Sequence, residues 1–100
     1  MKKKIAVPTQ KGKLSKGISD NTMFNLFDVE DGKVVRFEQG KPEEINFKYA
    51  SWWMSCKKIT ELYIDEIADE LKEMLVRLGI IVKKKDELSD DEFFNRLVFD

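Results

Sequence analysis

Residues 60–83 read TELYIDEIADELKEMLVRLGIIVK. Residues 62–64 and 80–83 are short, mostly apolar runs of strand length. Between them Ile67, Leu71, Met74, Leu75 and Leu78 recur at i, i+4, i+7, i+8 and i+11. That spacing draws one apolar stripe along a helix. Asp65 is placed to cap the helix start, and Gly79 to end it in the left-handed conformation. Strand, helix and strand in so short a stretch make a β-α-β unit. Parallel strands joined by a crossover need a sheet around them.

The rest of that sheet is sought upstream. Residues 4–7 read as a first strand ended by Pro8, and residues 9–22 as a long polar connection whose aliphatics are Leu14 and Ile18. Residues 23–38 form a hairpin with Asp31-Gly32 as the turn, a pair that suits the positive φ angles of a type I′ turn. That turn pairs Glu30 with Lys33 and Val29 with Val34. Strict alternation then puts Phe24, Leu26, Val35 and Phe37 on a core face. Phe27, Val29 and Val34 fall on the other. Residues 46–58 are helical, with one of Trp52 and Trp53 packed inward and the other partly exposed. Ser89 and Glu92 form a capping box before a last helix that buries some of Phe93, Phe94, Leu97 and Val98, with Leu88 and Phe93 as a staple.

The order β-β-β-α-β-α-β-α predicts one α/β domain over residues 1–100. It has three layers, α/β/α, about a five-stranded mixed sheet of order 3-2-1-4-5 with strand 2 antiparallel.

Composition narrows the function. The chain has 100 residues, 42% hydrophobic and 37% charged, which is globular rather than disordered. Eighteen basic residues against 19 acidic ones give a net charge of −1, which argues against binding nucleic acid through bulk charge. Nothing approaches a membrane-spanning run, and no secretory leader is recognisable. The lone cysteine has no disulfide partner in the chain, so the expected compartment is the cytoplasm. A homodimer could use Phe27, Val29 and Val34, or the exposed tryptophan.

Ligands of open α/β sheets favour the crevice at the carboxyl ends of the strands where the order reverses. Here that crevice falls between strands 1 and 4, lined by Pro8, Thr9 and Gln10 on one side and by Asp65 and Glu66 on the other. The long connection overhangs it. Capping is the plainer role for the two acids. Cys56 is the only soft metal ligand, expected at the mouth of the crevice; a buried structural cysteine is its plainer role. With no histidine in the chain, nucleophilic thiol catalysis has no imidazole base. Two-metal nuclease chemistry lacks an acid on the first strand, Ile5-Ala6-Val7. The protein is therefore expected not to be an enzyme.

The opening KIAVPT, the segment MFNLFDVEDGKVV and the closing ELKEMLVRLGIIV, in this order, resemble the dinitrogenase iron–molybdenum cofactor-binding family, over roughly residues 3–83. Members share a "K-I-A-V" start, an aromatic strand ending in "D-V-E-x-G", and "L-x-x-x-G-I-x-V" at the last helix-to-strand turn. The resemblance implies a ribonuclease-H-like fold and a role tied to nitrogen fixation. It implies a carrier that binds an iron–molybdenum or iron–sulfur cluster and meets cluster-assembly proteins. Thr9, Gln10, Cys56, Asp65 and Glu66 would be its cofactor-binding residues, with Cys56 as the metal ligand. The chain departs from the family pattern: its first loop has no histidine, the helix approach from Tyr49 to Cys56 has no glycine, and neither has Asp65-Glu66-Ile67-Ala68 after the fourth strand. The implied ligand site is a diverged one. The alternative is a protein-interaction or small-ligand module that kept the fold and lost the metal.

Overall fold

The structure is a computed structural model and describes residues 2–97; Val98 lies outside them. Six strands and three helices are described: β1 (Lys2–Gln10), β2 (Lys13–Leu14), β3 (Met23–Glu30), β4 (Lys33–Gly40), α1 (Phe47–Cys56), β5 (Glu61–Ile64), α2 (Asp69–Arg77), β6 (Ile81–Lys84) and α3 (Glu92–Asn95). A 3-10 turn, Lys85–Glu87, joins β6 to the last segment. The sheet is mixed. β1, β5 and β6 are parallel neighbours, while β3 and β4 run antiparallel.

The expected five strands are six, and the added strand renumbers the order from 3-2-1-4-5 to β4-β3-β1-β5-β6, with β2 paired to β1 off that path. The added strand comes out of the connection expected to be irregular. Lys11 and Gly12 both take positive φ, 52° and 78°, so a two-residue turn folds the chain straight back. Thr9 then faces Leu14 and Gln10 faces Lys13. β1 also runs on through Pro8, which sits opposite Phe24. Proline has no N–H to donate to a further rung beside β5, and its carbonyl accepts from Ser15 N at 2.9 Å instead.

The helices form two layers. α1 and α2 cover one face, burying Ala50, Met54, Leu71 and Leu75 against Ala6, Phe24, Leu26, Leu62 and Ile64. Each fully buried leucine contributes about 2 kcal/mol. On the other face Ile5, Val7, Leu14, Val29, Tyr63 and Leu88 cluster under Phe27, Phe93 and Phe94. The two tryptophans divide as expected. Trp53 packs edge-on to Phe24 with centroids 5.1 Å apart, while Trp52 is 56% exposed.

The hairpin keeps its expected pairs, Glu30 with Lys33 and Val29 with Val34. The face assignment beyond them fails. The register shifts between Asp28 and Val29, so Val35 has no opposite residue and Asp28 faces Arg36. One extra residue reverses the alternation. Phe37 leaves the α1 face and packs on Phe27 at 5.0 Å. Glu38 takes the place beside Leu26. Val35 and Phe37, expected in the core, are more than half exposed. Phe27 and Val29, expected as dimer surface, are covered in the second cluster, and Val34 stays exposed.

Two expected caps also move. α2 begins at Asp69 with Ala68 at its N-cap, so Asp65 caps nothing. Its N–H goes to Ser15 O at 2.9 Å, which holds it at a bend ahead of the helix. Asp91 rather than Ser89 caps α3, accepting from Phe94 N at 2.9 Å. The C-terminal cap holds. Gly79 N bonds Val76 O and Ile80 N bonds Leu75 O, with Gly79 at φ 82°, a Schellman motif. α1 ends the same way, with Ile59 N on Met54 O and Lys58 N on Ser55 O, but its left-handed residue is Lys58, φ 62°.

These two ends should respond oppositely to substitution. Left-handed backbone costs a side-chain-bearing residue roughly 1–2 kcal/mol. Gly79→Ala should lower stability by about 1 kcal/mol, since open space surrounds Gly79 and only the backbone is strained. Lys58→Gly should raise it by about 0.5 kcal/mol after the added unfolded-state entropy. Urea midpoints measure both, and a loss of stability in Lys58→Gly would contradict the reading.

Candidate functional site

The crevice expected between the ends of β1 and β5 is occupied by the protein's own chain. After β2 the backbone passes beside the segment that leaves β5. Asp65 N donates to Ser15 O (2.9 Å), Gly17 N donates to Glu66 O (2.8 Å), and Lys16 bridges Glu66 in parallel register. Ser15 is fully buried, and its hydroxyl bonds Gly17 O. The return is tied from the other side by Gln10, whose amide nitrogen donates to Ser19 Oγ (3.1 Å) and Thr22 Oγ1 (2.9 Å).

The expected site residues separate accordingly. The Gln10 side chain is a clip for the loop. Thr9 Oγ1 turns toward β3, reaching Met23 O at 3.5 Å and accepting from Asn25 Nδ2 at 3.1 Å. Asp65 and Glu66 stay at the strand ends and, with Ile67, Lys84, Lys85 and Asp86, line a shallow notch. Cys56 is not with them. It is exposed at the end of α1. Next to it Lys57 reaches Glu38 (3.9 Å), and Thr60 N bonds Lys4 O (2.8 Å) near the start of β1. From Lys4 to Thr9 a strand advances about 17 Å. The thiol therefore sits at the amino end of the parallel strands and the other four at the carboxyl end. The expectation of a cysteine at the crevice mouth, like that of a buried one, fails because α1 runs back toward the start of the sheet before β5 begins.

What the return builds in place of the crevice is a groove of about 920 Å³ on the α3 side, lined by Gln10, Lys11, Lys13, Leu14, Lys16, Asn21, Asp65, Lys85 and Phe94. Its lysines come from three places: the β1–β2 turn, the return, and the 3-10 turn after β6. The signal for three of the four, Lys11, Lys13 and Lys16, was in the sequence as KGKLSKG, residues 11–17. It becomes visible only once the hairpin is recognised.

A second polar cluster lies under α3. Glu61, 4% exposed, stands between Lys3 Nζ (3.5 Å) and Lys83 Nζ (3.3 Å). Lys83 also reaches Asp91 Oδ2 (3.3 Å), which accepts from Tyr63 Oη (2.9 Å). Burial, then the Asp91 carboxylate, push the Tyr63 phenol far above its ordinary value, so it stays protonated. Burial opposes charge on Asp91, but the Phe94 N–H, the Tyr63 hydroxyl and Lys83 outweigh it and hold the carboxyl below the usual range. Burial likewise opposes the Lys83 ammonium, and Asp91 and Glu61 outweigh it and hold the amine above the usual value. The sequence reading missed this cluster. Polar Glu61 beside apolar Leu62 on a short strand was its only mark.

These features define a mixed α/β sheet with a lysine-rimmed groove at the carboxyl ends of its parallel strands. No protein-family model matches the chain, and no curated protein matches it in sequence. Solved structures are similar to the chain, among them the following two. The crystal structure of PH0822 superposes with a TM-score of 0.74 at 19% identity, covering 97% of this chain and 96% of that one. That of mj0327 from Methanocaldococcus jannaschii, a candidate dinitrogenase, superposes with a TM-score of 0.63 at 15% identity, covering 82% of this chain and 74% of that one. At such identities the likeness is one of fold, and to this extent the dinitrogenase resemblance reaches a solved structure.

Asp91 gives a test by pH. Its folded value is depressed, so its contribution is complete above the unfolded value and lost as pH falls through the folded one. At pH 7 Asp91→Asn should cost about 1–2 kcal/mol, the worth of a charged hydrogen bond. The gap to the native chain should close below the ordinary carboxyl value of 3.8. Denaturation at pH 7, 5 and 3 reads it. A gap that stays constant would remove Asp91 as the titrating group.

Proposed function

We propose that this protein is a non-enzymatic ligand-binding domain whose site is the groove at the carboxyl ends of its parallel strands. It would be a relative in fold of the iron–molybdenum cofactor carriers with a changed ligand site. Three layers about a mixed sheet support a ribonuclease-H-like assignment. The observation that carries the functional reading is the donor set. The groove offers amines, two side-chain amides and one carboxylate. An iron–sulfur or iron–molybdenum cluster is held by thiolate or imidazole. The chain has no histidine, and Cys56 lies at the other end of the sheet. Among the described residues no three histidine, cysteine, aspartate or glutamate side chains gather as a metal site. The residues present do not fit the cluster.

The second reading, a cluster carrier that works with assembly proteins, is favoured by the fold likeness to the candidate dinitrogenase. It would have to use Cys56 with ligands from outside the chain. An enzymatic reading finds little support, since the strand ends gather Asp65, Glu66, Lys84 and Lys85 with no histidine in the chain and with Cys56 at the other end of the sheet.

Two experiments test the proposal. After anaerobic reconstitution with iron and sulfide the protein should be colourless, and Cys56→Ala should give the same spectrum. A visible band lost in Cys56→Ala would overturn the proposal in favour of the cluster carrier. In an amide NMR screen against small-molecule mixtures, at least one compound should shift residues 10–17 and 65–66 together. A screen that moves only amides elsewhere would also overturn it.

A further inference from the structure

From the charge lining the groove we infer its ligand class: a small polyanion carrying two or more phosphate groups. This rests on the groove being the binding site. Lys11, Lys13, Lys16 and Lys85 line it with a single carboxylate, Asp65; four positive charges less one negative leave +3. Among the described residues none of these four lysines has a carboxylate within ion-pair distance.

The opposite end of the sheet is different. There Lys2, Lys3, Lys4 and Lys57 meet Glu30, Glu61 and Glu38 at 3.2–3.9 Å. A chain of net charge −1 thus neutralises one lysine group internally and leaves the other open in a concavity. Like charges drawn together without counter-ions cost free energy, and a bound polyanion removes that cost. Lysine is a compact point charge on a flexible stem, suited to phosphate oxygens.

The frame is rigid enough to hold the charges in place. Lys11 and Gly12 form a tight turn, Gln10 clips the loop, and residues 15–17 are bonded to residues 65–66. The size fits a small molecule, because a groove of about 920 Å³ lies within the roughly 300–1,000 Å³ of small-ligand sites. A nucleic acid would need a longer basic track than one groove provides.

The test is an amide NMR titration of the full chain with inorganic tripolyphosphate, with a ten-nucleotide single-stranded RNA as comparator. Tripolyphosphate should shift amides of residues 10–17 and 85, and raised salt should weaken it. The double variant Lys13→Gln/Lys16→Gln should bind roughly tenfold more weakly with a melting midpoint no lower than that of the native chain. Lys33→Gln/Lys48→Gln, exposed lysines on β4 and α1, should bind as the native chain does. Equal loss in both double variants would overturn the inference, as would tighter binding of the RNA. If tripolyphosphate is silent while a neutral or cationic compound shifts the same amides, the ligand class falls and the groove stands as the site. If nothing shifts them, both fall.

Discussion

The parallel ladder between β1 and β5 stops after two registered pairs, Ile5 with Glu61 and Ala6 with Leu62, and what happens beyond that point organises the molecule. Pro8 cannot supply the next N–H. The gap beside the end of β1 is taken instead by β2 and the residues after it, which bond to Pro8 on one side and to Asp65 and Glu66 on the other. The usual opening at a switch point in strand order is therefore filled by backbone. A groove forms outside the filling rather than within the crevice, and its chemistry is that of the filling segment. That is why Lys11, Lys13, Lys16 and Asn21 join the strand-tip residues Gln10, Asp65 and Lys85 in lining it.

Charge is distributed along the same axis. Glu30, Glu38 and Glu61 neutralise the lysines at the amino end of the parallel strands. Glu38 reaches Lys4 and Lys57 only because the bulge at Val35 rotates it to the α1 face. The same bulge leaves Val35 and Phe37 exposed on an edge strand. A bulge that twists an edge is one way proteins discourage edge-to-edge pairing. One irregularity thus completes an ion-pair cluster and spoils a flat, apolar edge.

Much of this was legible from residues. Asp31-Gly32 announces its turn chemically, and Gly79 announces the end of α2, because both demand positive φ. Features set by tertiary bonding were not legible. Lys11-Gly12 makes the same kind of turn, but a lysine in the first position carries no such signal. The Val35 bulge has no sequence mark in a run where every alternation looks equally good. Asp65 is a good capping residue by type, yet its backbone is recruited by Ser15 before a helix can start. Ser89 lost the cap to Asp91, which also accepts from Tyr63 and Lys83. Cys56 was misplaced although the expected topology already located it: a residue just before a strand that runs parallel to β1 lies at the amino end of the sheet.

The buried cluster under α3 links these two ends of the sheet. Glu61 belongs to the start of β5, Lys83 to β6, and Asp91 to the cap of α3. Lys83 therefore ties the last helix to the sheet through two carboxylates at 3.3 Å each. Between Lys83 and Asp91 runs the 3-10 turn that carries Lys85 to the groove rim. A further anchor is Leu88, fully buried in the cluster with Tyr63, Phe93 and Phe94. Two short-range constraints on either side of a single turn hold that lysine's backbone. A replacement at Asp91 that kept the helix cap and lost the charge would loosen one of them. It would move Lys85 before it moved Lys11, Lys13 or Lys16, whose backbone is fixed from the other side by Gln10 and Ser15.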